Sequence, residues 1–276
     1  MRLDAHQHLW VYDPEQYPWI PKGSPLHRDW LPEDLEKLQA PLGFDGSIAV
    51  QARQSLEETR WLLELAERHP RIHGVVGWVD LRSPNLSDTL ADLAQHPKLV
   101  GFRHVAQDEP DDGFLAREPF VHGVSQLAGF GFAYDLLIYP RQLPAAIELV
   151  RRLPNQRFVL DHLAKPQVRE GLLQPWKTQI SELARYPNVH CKLSGLVTEA
   201  DPKNWKPTDF VPYLETVLEA FGPDRLLFGS DWPVCLLAGS YAEVHQLVHD
   251  FLKTRLAPDQ LDAVFGGNCS RFYQRR

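Results

Sequence analysis

Eight short apolar runs, each followed by a segment of helical character, recur along this chain of 276 residues. The runs read as strands over residues 1–8, Asp45–Gln51, Ile72–Asp80, Leu99–Val105, Phe132–Ile138, Arg157–Leu163, Val189–Gly195 and Leu226–Asp231. The first helix opens at Leu31-Pro32-Glu33-Asp34, with proline early and acids in the first turn. The second follows a capping-box start at Ser55-Leu56-Glu57-Glu58 and runs to about His69. Further helices are expected at Asn85–Gln95, near Arg117–Ala128, at Leu143–Arg152, within Leu172–Tyr186, near Phe210–Phe221 and at Tyr241–Arg255, with short helical pieces after them. Strands alternating with helices imply parallel βαβ units. Eight such units in this length predict an α/β chain folded as one (β/α)8 TIM-like barrel domain spanning residues 1–276. A doubly wound open sheet is the competing architecture. It is disfavoured because no Gly-x-Gly-x-x-Gly and no Walker A pattern follows any strand.

Composition narrows the function classes. Hydrophobic residues make up 43% and charged residues 24%, enough apolar material for one full core. The formal charge of −7 gives no basic stripe for nucleic acid. Cys191, Cys235 and Cys269 lie far apart without Cys-x-x-Cys spacing, so they read as buried thiols in a reducing compartment. No signal-peptide core opens the chain, and no apolar run approaches the ~18 residues of a membrane span. A cytoplasmic protein with a small-molecule partner, and with neither nucleic acid nor membrane as partner, is the expectation.

In a barrel of this kind the site lies at the carboxyl ends of the strands. Those ends carry His6 and His8, Gln51 and Arg53, Trp78 and Asp80, Arg103 and His104, Tyr139, Asp161 and His162, Lys192 and Ser194, and Asp231. Strand alternation puts Asp4, His6 and His8 on one face. A bare His-x-His is weak evidence in a chain with 12 histidines, and gains weight only from its surroundings. In Leu226-Leu-Phe-Gly-Ser-Asp231-Trp-Pro233, Gly229 allows close approach. Asp231 suits a metal ligand or a general base, or else a helix cap or the partner of a buried arginine. In Phe158-Val-Leu-Asp161-His162, alternation assigns His162 inward and Asp161 to structure, and the reversed phase exchanges them. Arg103 and His104 present the same choice; Arg103 suits a substrate carboxylate or a developing oxyanion. The loop Leu9–Leu31 is rich in tryptophan, tyrosine and proline. Its aromatics either cover a site or pin the loop to the surface. On the first reading Trp10, with Trp232 and Tyr139, lines a substrate pocket.

Taken together, Asp4-Ala5-His6-Gln7-His8, Asp161-His162 and Gly229-Ser-Asp-Trp-Pro233 resemble the amidohydrolase superfamily, and more narrowly its sugar-lactonase branch. Val50-Gln51-Ala52, Gly101-Phe-Arg-His-Val105, Lys192-Leu-Ser-Gly-Leu196 and Gly267-Asn268 extend the likeness from residue 2 to the C-terminal helix. The resemblance implies a distorted barrel that opens aldonolactones such as L-fuconolactone to the aldonic acid. It implies Asp231 as general base, with His6, His8 and His162 around the scissile carbonyl. Arg103, with His104 or Gln51, would hold substrate oxygens. It also implies a single zinc on His6, His8 and Asp231, with His162 beside them, whose necessity for hydrolysis is open. Strand five ends Leu136-Leu-Ile-Tyr-Pro140, without the ligand that binuclear members carry there. The alternatives are a metal-dependent decarboxylase, an aromatic-lactone hydrolase of the same superfamily, and a non-catalytic binding barrel. The last is disfavoured by so many convergent titratable groups.

Overall fold

The computed structural model describes residues 1–275. Eight parallel strands lie side by side in sequence order: β1 (Leu3–Gln7), β2 (Gly46–Val50), β3 (Ile72–Gly77), β4 (Leu99–His104), β5 (Ala133–Leu136), β6 (Phe158–Leu160), β7 (Val189–Leu193) and β8 (Leu226–Phe228). Each is followed by a helix: α1 (Pro32–Gln39), α2 (Leu56–Arg68), α3 (Leu86–Leu93), α4 (Glu118–Leu127), α5 (Leu143–Arg152), α6 (Trp176–Leu183), α7 (Pro207–Phe221) and α8 (Tyr241–Leu252). Two short helices, α9 (Pro258–Asp262) and α10 (Asn268–Tyr273), end the fold. The ring closes between β1 and the segment after β8, where Asp231 N–H donates to His6 O (2.9 Å) and His8 N–H donates to Trp232 O (2.7 Å). The expected (β/α)8 barrel is the observed one. Its strands are shorter than the apolar runs because the last residues of each run turn out of the ladder to form the rim. Among the described residues, no helix is long and apolar enough to cross a membrane.

The barrel interior has two layers. At the base, Leu3, Ala5, Ile48, Val50, Val76, Val100, Ala133, Val159 and Leu227 form an apolar cluster with Cys269, Phe272 and Tyr273 of α10. That helix therefore plugs the amino-terminal end of the barrel. All three cysteines are buried free thiols. Above the plug the interior turns charged. Lys192, without solvent exposure, places Nζ 2.5 Å from Asp135 Oδ2 and 2.9 Å from Asp161 Oδ1. Tyr273 Oη donates to Asp135 Oδ2 at 2.7 Å. Burial alone would neutralise the lysine, but the two carboxylates outweigh it and raise its pKa.

The loop 9–31 is fastened down. Trp10 and Trp30 form an antiparallel bridge, and Trp10 Nε1 donates to Arg28 O (2.9 Å). Trp19 Nε1 donates to Ala52 O (3.1 Å), and Tyr17 Oη donates to Glu58 of α2 (3.2 Å). Glu58 also accepts the backbone N–H groups of Ala52 and Arg53, each at 3.0 Å. This buried carboxyl joins the aromatic loop to the turn after β2.

Two outcomes are expected. Replacing Lys192 by methionine strands two buried carboxylates, which typically costs about 3–5 kcal/mol; urea unfolding of Lys192→Met checks this. Burial raises the Glu58 pKa to about 7 from an ordinary 4.5. The folded state then holds a proton that the unfolded chain releases. This group's contribution to stability is full below pH 4.5 and is lost as pH rises through about 7. Glu58→Gln, which keeps the same acceptor oxygen, should remove on the order of 3 kcal/mol of that pH dependence when unfolding is measured across the window.

Candidate active site

The first strand reaches the site through a register shift. Leu3 and Asp4 pair with Gly46 and Ser47, but Gln7 pairs with Ala49, so β1 carries one extra residue. Leu3 and Ala5 point into the barrel below the irregularity, and His6 and His8 point in above it. Asp4 consequently does not share the histidine face, against expectation. Its Oδ1 accepts the backbone N–H of Ser230 (2.9 Å) and of His6 (3.1 Å), tying β1 to the turn after β8. Burial raises its pKa to about 6, against those hydrogen bonds.

The eighth strand delivers Asp231 on a left-handed residue, with φ of 56°. A Cβ on Gly229 would lie 2.7 Å from His6 Cβ, so the glycine lets the first strand close onto the eighth. Asp231 Oδ1 then stands 3.4 Å from His8 Nε2, 3.7 Å from His6 Nε2 and 3.8 Å from His162 Nε2. Burial would raise the carboxyl's pKa, but the charge of His162 and the hydrogen bond with His8 lead the groups that hold it well below the usual carboxylate range.

His162 arrives by an unexpected route. Val159 faces the barrel interior, so alternation sends Asp161 inward, the reverse of the expected phase. The strand ends at Leu160, and His162, Leu163, Ala164 and Lys165 all take φ between 50° and 57°. Left-handed geometry costs roughly 1–2 kcal/mol per residue for such side chains. The turn swings the His162 ring back over the barrel, 4.5 Å from that of His6 between centroids. Ser194 Oγ lies 2.8 Å from His162 Nδ1, and Gly195 leaves room for the imidazole, which a Cβ would approach to 2.5 Å. Both Asp161 and His162 therefore serve the interior. Burial lowers the His162 pKa to about 4, and burial also lowers that of His6 well below 6.5.

Below these rings, Asp161 links the site to the charged layer. Its Oδ2 accepts from Arg103 Nη1 (3.1 Å), and its Oδ1 lies 3.4 Å from His6 Nδ1. Arg103 faces inward as expected, yet Nη1 serves Asp161 and His6, and Nη2 donates to Gln51 O (2.5 Å). Its donors are thus engaged mainly by protein. Gln51 Nε2 donates back to Arg103 O (3.3 Å), which makes this residue a brace between strands.

Other expected substrate contacts fall elsewhere. His104 turns away from the cluster, because a register irregularity between β3 and β4 lets Arg103 take the inward position. Its ring stacks on Phe114, faces Glu109 Oε1 at 2.7 Å and accepts from Trp78 Nε1 at 3.3 Å. Trp10 and Trp232 have no exposed surface; both are buried beside the aromatic loop, Trp232 edge-on to Trp30. Tyr139 stands half-buried at the rim, outside the Asp231 cluster, between Arg141 and Lys165. Sequence reasoning names Lys192 and Ser194 at the end of the seventh strand without their partners, and misses Asp135. Strand alternation along His190-Cys-Lys192-Leu-Ser194, with Cys191 and Leu193 on the outer face, carried that signal.

The cluster fits a divalent metal. His6 Nε2 and His8 Nε2 are 3.2 Å apart, and the distances to Asp231 Oδ1 are 3.7 and 3.4 Å. A tetrahedral zinc with bonds of about 2.0–2.1 Å has ligand–ligand edges of about 3.3 Å. His8 Nδ1 donates to Val50 O at 2.8 Å, which leaves Nε2 as a free lone pair. His6 Nδ1 faces both Asp161 Oδ1 (3.4 Å) and the Lys192 ammonium (3.1 Å), and the tautomer with its proton on Nδ1 toward Asp161 is the one that leaves Nε2 as a lone pair. Two imidazoles and a carboxylate are a common zinc donor set.

Comparison with known proteins agrees with this geometry. An L-fucono-1,5-lactonase of Burkholderia multivorans is 44% identical over 99% of this chain and 96% of that protein. A second L-fucono-1,5-lactonase, from Burkholderia ambifaria, is 40% identical over 99% of this chain and 95% of its own length. A crystal structure of a Burkholderia multivorans amidohydrolase with bound zinc superposes with a TM-score of 0.96 at 44% identity, each chain covered in full. The family described as Amidohydrolase matches residues 3–275, and this chain belongs to that family.

Proposed function

We propose that this chain, acting as one barrel domain, hydrolyses the ring ester of aldonolactones, L-fucono-1,5-lactone among them, to the open aldonic acid. The observation that carries the reaction is the Asp231 carboxyl, placed within 3.8 Å of three imidazole nitrogens at the barrel mouth. The substrate class rests on the two lactonases that match along the whole chain. A cytoplasmic location fits the three unpaired, buried thiols.

In the proposed mechanism the lactone carbonyl lies toward His6, His8 and His162. Asp231 accepts a proton from water as the water attacks the carbonyl carbon. Arg103, 3.3 Å from His6 Nε2, supplies positive potential for the developing oxyanion. The tetrahedral adduct collapses with cleavage of the C–O ring bond, and the proton on Asp231 passes to the departing ring oxygen. His6, His8 and Asp231 would hold a single zinc ion. When bound it would act as a Lewis acid toward the carbonyl and lower the pKa of water. A lactone is an activated ester, so Arg103 contributes to its polarisation whether or not the ion is bound.

Removing the base while keeping its shape should be severe. Asp231→Asn is expected to lower kcat by about 100- to 10,000-fold, read as proton release from L-fucono-1,5-lactone with the fold checked by circular dichroism. Near-normal turnover by the folded variant would remove Asp231 from this role. Calorimetric titration should find one zinc per chain, with affinity weakened at least about tenfold in His8→Ala. The chelated wild-type protein should still hydrolyse the lactone.

A further inference from the structure

A second cavity, of about 570 Å³, opens beside the Asp231 cluster and is absorbed by none of the roles above. It is lined by residues that follow three neighbouring strands: Tyr139 after β5, Lys165 after β6, and Thr198 and Glu199 after β7. Lys165 closes the left-handed turn that begins at His162, with its amide donating to His162 O at 2.7 Å. The turn that aims the imidazole at the catalytic carboxylate therefore also sets the lysine on the cavity wall. Glu199 is close enough to feel the charges of both Lys165 and Asp231, and burial raises its carboxyl pKa.

Lys165 and Glu199 stand unengaged on this wall, whereas Thr198 Oγ1 donates to Gly195 O (3.1 Å) and Arg141 pairs with Asp112 (2.7 Å). Among the described residues, neither Lys165 Nζ nor the Glu199 carboxylate makes a hydrogen bond or a salt bridge. Lys165 Nζ sits 5.3 Å from the centre of the Tyr139 ring. An ammonium with three donors, a carboxylate that accepts, and an aromatic face form a set with distinct chemistry. An apolar ligand would leave both charges desolvated and unpaired. An anionic group would meet Lys165, with Arg141 and Arg169 on the same lining, but be repelled by Glu199 and Glu170. A neutral polyhydroxylated ligand satisfies every element: hydroxyl oxygens accept from the lysine, hydroxyl protons go to the glutamate, and the C–H face of the ring lies on the tyrosine.

We infer that Lys165, Glu199 and Tyr139 form a polyol subsite that selects hydroxylated lactones over unsubstituted ones. This rests on the lactonase reading of the adjoining site. It makes Lys165 and Glu199 specificity residues rather than members of the hydrolytic group.

The test compares L-fucono-1,5-lactone with δ-valerolactone, which lacks ring hydroxyls, in the wild-type protein and in Lys165→Ala and Glu199→Gln. The ratio of kcat/KM for the hydroxylated over the unsubstituted lactone should fall at least about tenfold in each variant, mainly through KM, as expected for loss of a hydrogen bond to a charged group. A ratio unchanged in both variants overturns the subsite while leaving the lactonase reading intact. A wild-type protein that hydrolyses neither lactone overturns that reading, and the subsite with it. If δ-valerolactone alone is not turned over, calorimetric binding of the aldonic acid product decides. At least tenfold weaker binding by Lys165→Ala supports the subsite, and equal binding overturns it.

Discussion

A lysine without solvent contact must be neutralised where it stands, and the upper half of this barrel is arranged around that requirement. Lys192 meets it with Asp135 on one side and Asp161 on the other. Asp161 in turn orders Arg103 and approaches His6. Two cations thus flank the first histidine, with Lys192 Nζ 3.1 Å from its Nδ1 and Arg103 Nη1 3.3 Å from its Nε2. A protonated His6 would add a third positive charge in a buried space. Burial and Lys192 both act to keep the ring neutral. A neutral imidazole is the form that can offer a lone pair to a metal.

The seam that closes the barrel and the cluster proposed for the chemistry share His6, His8 and Asp231. The two backbone bonds across the β1–β8 junction involve His6, His8, Asp231 and Trp232. Asp4 reinforces the junction from outside by gathering two backbone N–H groups. The relative position of Asp231, His6 and His8 is thereby set by main-chain hydrogen bonding, which is stiffer than side-chain packing at a loop. The strained residues, Asp231 and the run from His162 to Lys165, sit at the two points where the chain leaves a strand to enter the site.

Much of this was legible in the sequence. The strand–helix alternation is a signal spread over the whole chain, and differences of up to three residues at strand ends leave the eightfold count intact. His6, His8, His162 and Asp231 were legible because polar residues ending apolar strands have few other places to go. Phase was harder to read. The extra residue in β1 separates Asp4 from His6, and a bulge is set by pairing with the neighbouring strand, which β1 alone does not encode. For Asp161-His162 the rule of alternation offered a choice of one or the other. The chain takes both, because β6 stops at Leu160 and a left-handed turn follows. His104, Gln51 and Trp10 each commit a polar group to a protein partner that alternation along the strand does not announce: Trp78 and Glu109 for His104, Arg103 for Gln51 and Arg28 for Trp10.

The plug at the base of the barrel ties two ends of the fold together in time as well as space. Tyr273 belongs to the last helix, yet its hydroxyl reaches Asp135, which holds Lys192, which stands against His6 near the other terminus. A chain emerging from the ribosome can pair all of its strands before this hydroxyl has been made. Until α10 docks, Asp135 lacks one of its two partners and the barrel stays open to water from below. The hydrogen bonding of the buried Asp135–Lys192 pair is thus completed by a helix that contributes nothing to the barrel wall.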